Sequence, residues 1–195
     1  MKYQIKLVTL PNQILRTKSQ EVPWPLTPED EELVQKMIYH VDLSQQEGDH
    51  GLQPAVGVAA IQYGIPKRVF YINTGDANYN GTTASQTLRD VFINPKIIAT
   101  SDADTALASG EGCLSVKPDW PKQDGLVHRK YRVVAEAYSY FDKQWKRYDL
   151  TGYPAIVFQH EFDHCEGKLF IDHIRQKGDV WEAKPDTILL FQEEK

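Results

Sequence analysis

Cysteine is scarce in this sequence: only Cys113 and Cys165 occur among 195 residues. A disulfide scaffold is excluded in practice, and a reducing, cytoplasmic setting is the default expectation. Long apolar runs are missing as well. No stretch approaches the ~18 consecutive apolar residues that a membrane-spanning helix needs. The N-terminal MKYQIKLVTLPNQ has no long apolar core, so no signal peptide is expected. Positive charge is in deficit, with 22 Lys and Arg against 27 Asp and Glu and a net charge of −5. A broad phosphate-binding surface, and with it direct nucleic-acid binding, is not expected. Repeats and low-complexity tracts are also lacking. What remains is an ordinary globular composition, 41% hydrophobic and 25% charged, and residues 1–195 are expected to form one domain.

QIKLVT (4–9) reads as extended. A helix is expected to begin near Thr27. Thr27 suits the N-cap, Pro28 the first helical position and Asp30 the acid of a capping box. Leu33, Met37, Ile38 and Val41 follow at helical spacing. RVFYIN (68–73), DVFINPKII (90–98) and YRVVAEAYSYF (131–141) read as strands, the second obliged to accommodate Pro95. WKRYDL (145–150) follows the third across a turn at Asp142-Lys143, which predicts a hairpin. TGDANYNGTTASQTLR (74–89) is polar and reads as an exposed loop. A late helix is expected from just after Tyr153 to about Glu166, with Pro154 in its first turn and Gly167 as its stop. Strands first and a helix late predict an α+β fold with mostly antiparallel sheets. Beyond Gly178 the pattern leaves a strand and a short helix equally open.

The late helix carries His160-Glu161-Phe162-Asp163-His164, an H-E-x-x-H. Residues four apart share a helix face, so both imidazoles can reach one metal ion. The flanks AIVF and LFI are apolar, and burying these polar groups unpartnered would cost several kcal/mol. A metal removes that cost and lowers the pKa of a water it binds toward ~7. Glu161 beside it can take a proton and hand it to a leaving amine, which is the chemistry of amide or ester hydrolysis. Two imidazoles need a third protein ligand. The metzincin pattern requires a third His where this chain has Phe170. The acids Glu182, Glu193 and Glu194 lie in a tail without a helix-borne motif, and His173 reads as structural or exposed. Cys113, in the turn GEGCLSV (110–116), is the better candidate: one thiolate and two imidazoles suit a borderline divalent ion and leave a position for water. Cys165 is rotated ~100° off the ligand face and reads as packing. Asp163 is open between a supporting hydrogen bond and the surface.

Three segments in order, AVGVAAIQ (55–62), EGCLS (111–115) and QHEFDH (159–164), resemble the peptide deformylases. The similarity extends to ILR near the N-terminus and LFIDHI after the helix, and the long loops with YPAIVFQHE resemble the type II bacterial branch. The resemblance implies a peptide deformylase fold with the H-E-x-x-H helix at its centre. It implies removal of the formyl group from the N-terminal formylmethionine of new polypeptides, with release of formate. Cys113, His160 and His164 would hold the metal, ferrous iron in the cell, with zinc, nickel or cobalt able to replace it in preparations. Glu161 would be the general acid/base. The Gln62 side chain and the Leu114 N–H would donate to the oxyanion. Val56, Gly57, Glu111, Gly112, Ile156 and Val157 would meet the substrate, and Arg129 would pair with Glu111 to brace the cysteine turn. Nascent formylmethionyl peptides would be the partners, with any ribosome contact transient, no membrane, and a monomer as the default. Ala55, Ile61 and Cys165 depart from the family pattern, but none removes a chemical group from this scheme. The alternatives are a zinc metallopeptidase, a deformylase-like binder without turnover, and a protein whose main role is ribosome binding.

Overall fold

The computed structural model describes residues 2–75, 87–174, 176–177, 180–181 and 184–191. Most of the expected 74–89 loop (76–86) therefore lies outside the described residues. Helix α1 (Pro28–Ser44) starts with the predicted capping box: the Asp30 N–H donates to Thr27 Oγ1 at 3.2 Å, and the Thr27 N–H donates to the Asp30 carboxylate at 2.9 Å. Leu33, Val34, Met37 and Val41 form its buried face.

The main sheet joins β1 (Gly57–Ala59), β2 (Val69–Asn73), β3 (Arg89–Thr100), β6 (Arg132–Ser139) and β7 (Gln144–Thr151) in that order, all antiparallel. Side chains alternate across a strand. Val58, Val69, Tyr71, Val91 and Ile93 accordingly meet α1, while Ala59, Phe70, Ile72 and Phe92 meet helix α2 (Tyr153–Cys165) through Ala155, Val157 and Phe158. Each large apolar side chain fully buried here contributes about 1.5–3 kcal/mol. β3 absorbs Pro95 with a register shift between Ile93 and Lys96, and Asn94 takes φ +52° there. Asn94 is held by Val22, whose N–H donates to it at 2.7 Å and whose carbonyl accepts from it at 2.9 Å. The β6–β7 hairpin turns at Asp142-Lys143 as expected, with Lys143 at φ +55°.

A second sheet has the order β10-β4-β5, formed by β4 (Asp104–Leu107), β5 (Arg129–Lys130) and β10 (Ile188–Leu190), with β10 parallel to β4. β8 (Gln176–Lys177) and β9 (Val180–Trp181) pair with each other, so the described tail forms strands. Residues 4–9 do not form a strand. This segment and the next residue instead tie two motif segments together, through Val8 N–H to the Gln62 carbonyl at 2.7 Å and Leu10 N–H to the Ser115 carbonyl at 2.9 Å. α2 stops at Gly167, which has φ +70° and lies so close to the Arg16 carbonyl that a Cβ would sit 2.6 Å from its oxygen. The antiparallel α+β architecture expected from the sequence is the one observed.

Candidate metal centre and active-site cleft

α2 presents His160 and His164 on one face, as four-residue spacing dictates. Cys113 comes from the irregular segment after β4, where the Val116 N–H closes a turn onto the Cys113 carbonyl at 2.9 Å. The ligand atoms of Cys113, His160 and His164 lie within 4.8 Å of one another, with Sγ 3.4 Å from His164 Nε2. Burial alone would raise the Cys113 thiol. The two imidazoles overcome it and hold the thiol down to about 5. The Ser115 N–H, 3.4 Å from the sulfur, and Gln62 Nε2, 3.6 Å away, add donors that favour a thiolate.

Beneath the ligands lies a chain of buried ions. His160 Nδ1 is 2.7 Å from Glu111 Oε2, which leaves Nε2 for the cluster. A ring nitrogen fixed by a carboxylate is the usual support of a metal-binding imidazole. Arg129 reaches both oxygens of Glu111, Nε to Oε1 at 2.6 Å and Nη2 to Oε2 at 2.9 Å. Its remaining Nη1 donates to Asp163 at 2.6 Å, and Asp163 also meets His173 Nε2 at 2.7 Å. Burial would raise the Glu111 carboxyl, yet Arg129 and His160 hold it down to about 2. Asp163 likewise sits well below the carboxylate range, held by His173 and Arg129 against burial. One sulfur and two nitrogens, converging and braced in this way, fit a divalent metal of the zinc or ferrous class.

Glu161 is 3% exposed, and among the described residues its Oε2 has no hydrogen-bond partner. Burial pushes its carboxyl up to about 7, a value suited to moving protons near neutrality. Gln62 is also buried. Its Oε1 accepts the Ala59 N–H at 2.9 Å, which orients Nε2 toward Ser115 Oγ at 3.1 Å and the cysteine sulfur. These groups line a cleft of about 760 Å³ together with Val56, Gly57, Gly112, Leu114, Ile156 and Val157.

Cys113, His160, Glu161, Gln62, Val56, Gly57, Glu111, Gly112, Leu114, Ile156 and Val157 thus line this cleft, with His164 in the ligand cluster and Arg129 behind Glu111, while Glu182, Glu193 and Glu194 lie outside the described residues. Glu111 lines the cleft, and both of its carboxylate oxygens are engaged by Arg129 and His160. Cys165 packs in the core at 1% exposure, and His173 stands on Asp163, so neither joins the cluster. Sequence reasoning missed Ser115, which links Gln62 to the cysteine turn, and left Asp163 undecided. The signal for Asp163 was its i+3 spacing from His160, which places it over the same helix turn.

The polypeptide deformylase family profile matches residues 4–180. The peptide deformylase of Mycoplasmopsis pulmonis is 45% identical over 196 residues, covering 96% of this chain and 98% of its own. A probable peptide deformylase from Synechococcus phage S-SSM7 superposes with a TM-score of 0.66 at 33% identity, covering 87% of this chain and 99% of its own. The Met-Ala-Ser-bound class I type b peptide deformylase of Acinetobacter baumannii gives a TM-score of 0.71 at 26% identity, covering 89% and 100%. Sequence, fold and the converging cysteine–histidine cluster agree, and the chain belongs to the polypeptide deformylase family.

Proposed function

We propose that this chain works as a complete peptide deformylase, in which the residues named above divide the labour of one hydrolysis. The reaction removes the formyl group from the N-terminal formylmethionine of newly made polypeptides and releases formate. The observation that carries the reading is the convergence of the Cys113, His160 and His164 ligand atoms beside a buried Glu161 whose Oε2 has no hydrogen-bond partner among the described residues. Cys113, His160 and His164 would hold a divalent metal, which would supply Lewis acidity and lower the pKa of the attacking water. Glu161 accepts the proton of the attacking water. Gln62 Nε2 and the Leu114 N–H donate to the oxyanion that forms on the formyl carbon, each worth about 3 kcal/mol in comparable sites. Glu161 then protonates the departing amine as the C–N bond breaks. Formate and a free N-terminal methionine remain, and atoms balance with water as the only co-reactant.

Val56, Ile156 and Val157 give the methionine side chain an apolar wall, while Gly57 and Gly112 let the peptide backbone approach closely. The Acinetobacter relative was crystallised with Met-Ala-Ser bound, which supports a short methionyl peptide as the class of ligand for this chain. We assign ferrous iron as the cellular metal, with zinc, nickel or cobalt replacing it in preparations made in air, since an iron-bound thiolate is prone to oxidation. The working unit is a monomeric single domain in the cytoplasm, and contact with the ribosome is transient. Among the described residues no helix is long and apolar enough to cross a membrane. The test is release of formate from a short formylmethionyl peptide by protein purified without oxygen and supplied with ferrous iron. Stoichiometric formate and free methionyl peptide are expected. Cleavage of internal peptide bonds, with the formyl group intact, would favour a metallopeptidase instead.

A further inference from the structure

The cleft is larger than its chemistry requires. Pockets of about 300–1,000 Å³ hold whole drug-sized ligands. A cleft of about 760 Å³ therefore admits residues beyond the formylmethionyl unit. Its charged lining groups, apart from the metal-ligating Cys113 and His160, are Glu111, Glu161 and Lys117. Glu111 is neutralised by Arg129, and Glu161 is buried. Lys117 alone is exposed, and among the described residues its side chain enters no ion pair or hydrogen bond. Its backbone is pinned, however, since Gln123 Nε2 donates to the Lys117 carbonyl at 3.1 Å and to the Pro118 carbonyl at 2.5 Å. The nearby acids Asp119 and Asp124 do not line the cleft. A backbone held by Gln123 thus carries, at the cleft wall, a cation in no ion pair among the described residues, in a protein whose net charge is −5.

Its position can be bounded. Lys117 lies four residues after Cys113, so the two Cα atoms are at most ~14 Å apart. The turn from Val116 N–H to the Cys113 carbonyl shortens that span. A peptide bound in extended form adds ~3.3–3.6 Å per residue. A peptide with its formyl end at Cys113 that runs along the cleft toward Lys117 brings its second and third residues within reach of that side chain.

We infer that Lys117 is a specificity-determining residue, which favours substrates with a carboxylate at the second or third position over those with a cation there. The inference rests on the deformylase reading above. An exposed pair of this kind is worth about a 1.5- to 5-fold preference, weakened by salt.

The test uses metal-loaded protein and two C-terminally amidated series, formyl-Met-Ala-X and formyl-Met-X-Ala, with X as Asp, Ser or Lys. In at least one series kcat/KM should fall in the order Asp, Ser, Lys, with the difference in KM and its size reduced by salt. A formyl-Met-Ala-Ser peptide with a free C-terminal carboxylate separates the two sources of that group. If it outperforms its amide while the Asp and Lys amides are equal, the site reads only chain ends and the inference for nascent chains is overturned. Lys117→Ala should bring the Asp-to-Lys ratio to one, and Lys117→Glu should invert it. Because the readout is a ratio, partial unfolding of a variant cancels. Lys96→Glu, on the far strand β3, should leave the ratio unchanged; an equal loss there would assign the effect to net charge and overturn the inference. Equal turnover of all amides by the parent protein would also overturn it while leaving the deformylase reading intact. Turnover of none would defeat that reading, and the inference with it.

Discussion

Gly57→Ala adds one methyl group at a confined point of the cleft. Gly57 lies in β1, opposite Ile72, and its backbone is ordinary extended strand. The requirement for glycine is therefore space, not conformation. An added Cβ would sit 2.6 Å from Glu161 Oε1, 2.9 Å from Cδ and 3.0 Å from Cγ. Ordinary contact begins at 3.4 Å, so the carboxylate must retreat by about 0.8 Å. Glu161 is 3% exposed and cannot swing into solvent to do so. A misplacement near 1 Å in catalytic geometry costs about 10²-fold, or ~2.7 kcal/mol. Overpacking adds a stability cost of about 1–3 kcal/mol. The assay is steady-state formate release with metal content measured alongside. The expected result is full metal, kcat down about 10²-fold and KM little changed. A kcat within twofold of the parent with a raised KM would refute the reasoning. It would mean that Gly57 serves only the substrate backbone and that Glu161 tolerates displacement.

Other outcomes follow from the same geometry. Arg129→Ala leaves Glu111 and Asp163 buried without their shared cation. A loss of about 3–5 kcal/mol is expected, read as a Tm lower by about 10 °C, together with weaker metal retention. Cys113→Ala should lose the metal on dialysis; one retained ion per chain would transfer the ligand role to another residue. The Glu111 carboxyl is held at about 2 in the folded chain against an ordinary 4.5, so its contribution is fully present above pH 4.5 and fades as pH falls toward 2. Glu111→Gln should flatten denaturation midpoints across that window, and an unchanged slope would count against the ion pair.

Much of this was legible in the chain because local chemistry and global fold agree. Thr27, Pro28 and Asp30 specify the start of α1 by hydrogen bonds within one turn, and Gly167 ends α2 because nothing larger fits beside Arg16. The H-E-x-x-H spacing fixes two ligands through helix geometry alone. β4, β5 and β10 were not legible: strands of two to four residues show no period, and β10 pairs with β4 some eighty residues upstream. The 55–62 segment reads as small and apolar, yet its division into a strand and a 3₁₀ turn is set by tertiary contacts. The Arg129–Asp163–His173 link joins three elements, and no single segment announces it.

The central claim is that Glu161 moves the proton at a metal centre it does not build. Its direct test is Glu161→Ala, loaded with ferrous iron without oxygen and compared with the parent on a formylmethionyl peptide. The account predicts one metal per chain in both proteins, formate from the parent and none above background from the variant. Parent-like formate release by the variant would contradict it.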